Sequence, residues 1–147
     1  MTAFDIHPFL RVGPLVLGMS PDEVHRILGQ PRSVSKSRNG ERSDSYPHLT
    51  ASYAKDTEKL VDVGMGSQVD VQFQGVSLFS DPRALDVLIA ADGGPLESVG
   101  FIVFPSIGVA LGDFDSDQES DRVVSIFQRG RWDAIKGMEP YSVPEKR

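Results

Sequence analysis

The sequence predicts an α+β protein, an antiparallel sheet with two short helices on one face. Three observations carry that expectation. Two proline-opened segments have helical apolar spacing, one stretch alternates with a period of two, and further short apolar runs are separated by polar turns.

The first helix lies in "LGMSPDEVHRILGQP". Ser20 is placed to cap it, Pro21 takes the first helical position, and Glu23 completes a capping box. Met19 and Val24 stand at staple positions, and Val24, Ile27 and Leu28 form a short apolar stripe. Gly29 is the expected left-handed stop, with Pro31 preventing continuation. The second helix lies in "LFSDPRALDVLIAADGGP". Ser80 or Asp81 caps, Pro82 opens, and Ala84, Leu85, Leu88 and Ile89 make the stripe. Gly93, Gly94 and Pro95 close it.

Both helices are brief and amphipathic, so each needs a larger surface to pack on. Strands are expected at 49–54 and 59–66, separated by "KDTE". In "QVDVQFQG" (68–75), Val69, Val71 and Phe73 alternate with Asp70, Gln72 and Gln74, as in a half-buried strand. "VGFIVFP", "IGVALGDF" and "RVVSIFQRG" (122–130) continue the series. The polar stretch "SKSRNGERSDS" is either a hairpin turning at Asn39-Gly40 or an open loop. The 147 residues make one domain, 1–147, with αβββ-type half repeats at 12–75 and 76–135 and a tail at 136–147.

A net charge of −6 argues against a nucleic-acid backbone or an anionic membrane as partner, and suits a basic protein. The absence of cysteine removes disulfides, thiolate zinc sites and cysteine nucleophiles. No apolar run reaches membrane-spanning length and the first residues lack a signal-peptide pattern, so the expected location is cytoplasmic.

The run "DFDSDQESD" raises the question of a cation. Asp113, Asp115, Asp117 and Glu119 alternate as calcium ligands do, but the sixth position of the run is Gln118 and the twelfth Val124, where such a loop needs Gly and Glu. An exposed connection between two strands, kept solvated by its charge, is the simpler account of the run. His7, His25 and His48 are scattered without metal-ligand spacing, and no serine lies in a nucleophile elbow. The glycine pairs match no phosphate or dinucleotide motif, and no cofactor is expected.

The segment from Leu17 to Pro31 resembles the helix-opening signature of small bacterial α+β modules, the beta-lactamase inhibitor protein fold and the related outer-membrane assembly lipoproteins. Leu17, Gly18, Met19, Ser20, Glu23, Val24, Leu28, Gly29 and Pro31 carry the likeness. A second likeness, to uncharacterised bacterial proteins of toxin-immunity repertoires, rests on Gly75, Val76, Leu78, Phe79, Phe104, Pro105, Ile107, Gly108, Ala110 and Leu111. These resemblances imply a non-enzymatic protein-binding module of the immunity or inhibitor kind. It would use its free sheet face, with Tyr53, Trp132 and Tyr141 as anchors and Asp115, Asp117 and Glu119 as acidic contacts. The partner would be another protein or a second copy in a homodimer. The alternatives are a small hydrolase or ligand-binding enzyme with carboxylates converging in a cleft, and calcium binding at 113–121.

Overall fold

The structure is a computed structural model, and it describes residues 3–98, 100–114, 118–131 and 138–141. The chain opens with three short strands, β1 (Phe4–His7), β2 (Arg11–Val12) and β3 (Leu15–Val16), then α1 (Pro21–Leu28). Four strands follow: β4 (Ser33–Lys36), β5 (Arg42–Ser45), β6 (Leu49–Tyr53) and β7 (Leu60–Gly66). A hairpin of β8 (Val71–Phe73) and β9 (Val76–Ser77) leads to α2 (Ala84–Asp92). Four more strands come next: β10 (Leu96–Ser98), β11 (Phe101–Phe104), β12 (Val109–Gly112) and β13 (Val123–Phe127). A 3₁₀ turn, Glu119–Asp121, precedes β13, and β14 (Glu139–Pro140) comes last.

These strands form two sheets. The larger has nine strands in the order β14-β10-β11-β12-β13-β7-β6-β5-β4, all antiparallel. Its centre is the β7–β13 pair, where two four-strand meanders meet by their last strands. The order hairpin, helix, meander therefore occurs twice, with a four-strand meander of the large sheet after each helix, against an expectation of three or four strands. The smaller sheet, β3-β2-β1-β8-β9, is absent from the sequence reading, which ran 68–75 into one continuous layer. Its β1 joins the two hairpins, antiparallel to β2 and parallel to β8. Strands of two to four residues, most with only one to three alternations, leave too weak a periodic signal to announce a second sheet.

Helix α1 forms as its sequence dictates. The Ser20 hydroxyl accepts from the Glu23 N–H at 3.3 Å while the Glu23 carboxylate accepts from the Ser20 N–H at 3.1 Å. Its end differs in detail. Gly29 has φ 85° with ψ −167°, a positive-φ exit that is not the left-handed helical turn expected there. At α2 the Asp81 carboxylate accepts from the Arg83 N–H at 2.8 Å, so Asp81 organises the approach, and the helix starts at Ala84, two residues after Pro82. Gly93 closes it in the left-handed conformation.

One core holds the assembly together. Ala51, Val63, Met65, Val124 and Ile126 point to one side of the large sheet, here termed inner, and join Val24 of α1 and Leu88 of α2. Ile6, Val12, Leu15, Val71 and Phe73 from the small sheet belong to the same cluster. The inner side is thus covered by both helices and the second sheet together. The stretch 33–45 is a hairpin, β4 against β5, closed by a bond from the Gly40 N–H to the Ser37 carbonyl at 2.9 Å. Strand β4 is an edge. All four of its residues are exposed, Val34 by 53%, and Arg32, Lys36 and Arg38 supply charges that discourage edge-to-edge pairing. No helix among the described residues is long and apolar enough to cross a membrane.

Candidate functional site

Strand register sets the composition of the outer side of the large sheet. Ser35, Ser43, Ser52 and Asp62 face one another across β4, β5, β6 and β7, and Phe127 of β13 ends that row. The next row runs Ser33, Ser45, Thr50, Gly64 and Ser125, then Ala110 and Val103. A third runs Gly66, Val123, Gly112 and Phe101. Over β4 to β7 the side chains are thus hydroxyls, glycines and one carboxylate, all short. Ser33, Ser35 and Thr50 are exposed, and Ser43, Ser45, Ser52 and Ser125 are half-buried.

The outer side is not open throughout. Val103, Ala110 and Phe127 are buried there in a small cluster joined by Met138. This corrects the expectation of a wholly free face. Strand β14 pairs with β10 at the sheet edge, and Met138, just before β14, packs on these apolar outer residues of the second meander. The open part is the first meander with β13. Its border toward Gly112 carries two exposed apolar side chains, Phe101 at 43% and Val123 at 37%. A Cβ at Gly112 would stand 3.2 Å from the Phe101 ring, a tight contact that the ring would have to relieve by shifting slightly.

A charge cluster marks the opposite border. The Arg131 guanidinium donates to both Glu41 oxygens at 2.8 and 3.0 Å and to Asp62 at 3.0 Å. The bidentate geometry holds the β4–β5 turn to the chain that leaves β13. Burial pushes the Asp62 carboxyl up to about 6 even though Arg131 pulls it down, while the hydrogen bond from Arg131 holds Glu41 below its ordinary value. A carboxyl raised in the fold favours folding most below its unfolded value and loses that contribution as pH rises through the folded one. Stability should therefore gain as pH falls from 6 toward 4, and Asp62→Asn should remove that gain. Urea unfolding of both proteins at pH 6 and 4 checks this; parallel pH profiles would refute it.

A second polar cluster sits inside. Asp44 is fully buried and accepts from Arg42 Nε at 2.8 Å, with His25 Nε2 also at 2.8 Å. The contact ties α1 to β5. Arg42 stands 5.8 Å from the centre of the Tyr53 ring, and burial raises the Tyr53 hydroxyl well above its ordinary value. A His–Asp pair is half of a nucleophile-activating set, yet the Asp44 oxygens are taken up by His25 and Arg42, and among the described residues no hydrogen bond brings a serine or threonine hydroxyl to His25. The arrangement works as an interlock.

The anticipated contact residues that the structure describes do not share one surface. Tyr53 is fully buried beneath the sheet, which removes it as a surface anchor: its alternation with Ala51 and Leu49 turns it inward. Tyr141 is half-buried and lines a cavity on the inner side. Asp113 is exposed, with its N–H bonded to the Gly100 carbonyl at 2.8 Å, and Glu119 begins the 3₁₀ turn. Asp115, Asp117 and Trp132 lie outside the described residues. Among the described residues no group of three or more His, Cys, Asp or Glu is placed to hold a metal ion. Phe101 and Val123, which the sequence reading passed over, gain their prominence only from pairing across Gly112.

No family model matches the chain, and neither a curated protein nor a solved structure matches it. Fold and surface therefore define the class: an α+β protein whose large antiparallel sheet is backed on its inner side and partly open on its outer side.

Proposed function

We propose that the chain is a non-enzymatic protein-binding module of the immunity or inhibitor kind, and that it meets its partner with the open half of the outer sheet face. One observation carries this reading. Five neighbouring strands, β4 to β7 and β13, present a continuous field of short hydroxyl and glycine positions beside the exposed Phe101–Val123 pair. Short side chains let another surface approach the backbone closely and leave hydroxyls to bond it. An apolar border supplies the desolvated anchor that dominates binding energy. The net charge of −6 speeds encounter with a basic partner.

Thr50 is exposed near the middle of the field. Thr50→Arg should leave unfolding within about 0.5 kcal/mol of wild type, since surface substitutions of this sort touch no core contact. The same change should cost the partner at least about tenfold in affinity by inserting a long charge into the contact. The check is affinity capture from the host with wild type, Thr50→Arg and the distant control Asp86→Lys, followed by calorimetry on the captured protein. Capture of one protein by all three with equal affinity would defeat the proposal, as would recovery of a second copy of the chain alone.

A further inference from the structure

Strand β4 ends the nine-stranded sheet, and no strand among the described residues pairs with its outer flank. Hydrogen bonding in the first meander fixes which backbone groups are left there. The Ser37 N–H donates to the Glu41 carbonyl at 2.9 Å, and the Tyr46 N–H donates to the Leu49 carbonyl at 2.8 Å. Bonds in an antiparallel ladder alternate along the strand, so Arg42 and Asp44 of β5 direct their backbone groups to β6. Their neighbours on β4, Lys36 and Val34, therefore turn N–H and C=O toward the free edge.

We infer that this edge is a binding site for an extended acidic peptide segment, which pairs with β4 as one more strand of the sheet. Backbone bonds to Val34 and Lys36 supply the affinity, and charge selects the sequence. Residues 32 to 45 carry four cations, Arg32, Lys36, Arg38 and Arg42, against two carboxylates, Glu41 and Asp44. Both carboxylates are engaged: Arg131 holds Glu41, and His25 and Arg42 hold Asp44. Arg32, Lys36 and Arg38 are exposed and belong to none of the ion pairs among the described residues. Lys36 also stands directly opposite Arg42, a like-charge pairing across strands that an incoming carboxylate would relieve. A chain of net charge −6 thus gathers uncompensated positive charge on one edge strand. The same charges turn away a second copy's β4, which would set cation against cation, and leave an acidic strand as the matching occupant. The site needs no contact on the outer face, so it stands or falls independently of the function proposed above.

NMR titration of the full chain with a short blocked peptide of alternating glutamate and valine tests the inference. Amide exchange at Val34 and Lys36 should slow on binding, because those N–H groups gain acceptors. The glutamate peptide should bind about tenfold more tightly than its lysine–valine counterpart, a difference of about 1.4 kcal/mol. Methylating every backbone nitrogen of the glutamate peptide should abolish binding by removing its half of the ladder. Val34→Pro deletes an edge donor without breaking a bond inside the sheet, so it should fold and fail to bind. Lys36→Glu should erase most of the preference for the glutamate peptide, and it decides the matter even if Val34→Pro does not fold. Thr50→Arg, on the outer face, should bind the peptide as wild type does, which separates this site from the partner contact. No binding of the glutamate peptide at millimolar concentration would overturn the site. So would equal affinity for the lysine peptide, undiminished binding of the methylated one, or protection at other amides. Loss of binding in Thr50→Arg would put the peptide on the outer face and overturn it as well.

Discussion

Replacing Asp44 with alanine is expected to destabilise the protein by about 3–5 kcal/mol, because the change strips one partner from a buried charge cluster. Asp44 has no exposed surface, and the side chains it holds, His25 and Arg42, are only 15% and 23% exposed. Their donors would lose that buried acceptor, and α1 would lose its polar tie to β5. The comparison that isolates this cause is the triple variant His25→Leu, Arg42→Met, Asp44→Leu, in which no charge remains to be satisfied. It should recover most of the loss, since well-packed apolar replacements of buried ion clusters are often neutral or better. Urea denaturation of the single and triple variants measures both. A single-variant loss under about 1 kcal/mol would show that Asp44 is hydrated or dispensable.

Phe104→Ala should cost a similar amount, about 3–5 kcal/mol, by a different mechanism. Phe104 ends β11 fully buried in the main core, and its carbonyl accepts from the Gly108 N–H at 2.9 Å in the turn to β12. Truncation removes a large apolar group where the two sheets and helices converge, so little can collapse into the space. For a chain of this length the melting temperature should fall by about 2–4 °C per kcal/mol. A loss near that of an exposed position such as Phe101→Ala would mean that the core is looser than its burial indicates.

These two sites show where sequence reasoning reaches and where it stops. Phe104 is readable as core, since it lies in an apolar run of strand length. Asp44 is not. It sits in "ERSDS", a wholly polar stretch that reads equally as loop or hairpin, and its burial depends on α1 lying over β5. Tyr53 shows the reverse error. An aromatic in a short strand looks like a surface anchor until pairing with β7 and β5 turns it inward. The aromatic stack in the inner cavity is not legible either, because Phe79 and Phe114 are far apart in sequence and meet only through packing.

What the sequence by itself determined is local. The α1 start follows from Ser20, Pro21 and Glu23, the α2 approach from Asp81 and Pro82, and the α+β class from short apolar runs with turns between them, since capping and periodicity act within a few residues. Only the tertiary structure decided that the strands divide into two sheets, that the two meanders join at β7 and β13, and that half of the outer face stays open. Those outcomes depend on register, and register depends on which surfaces bury together across long separations in the chain, a quantity that no local pattern encodes.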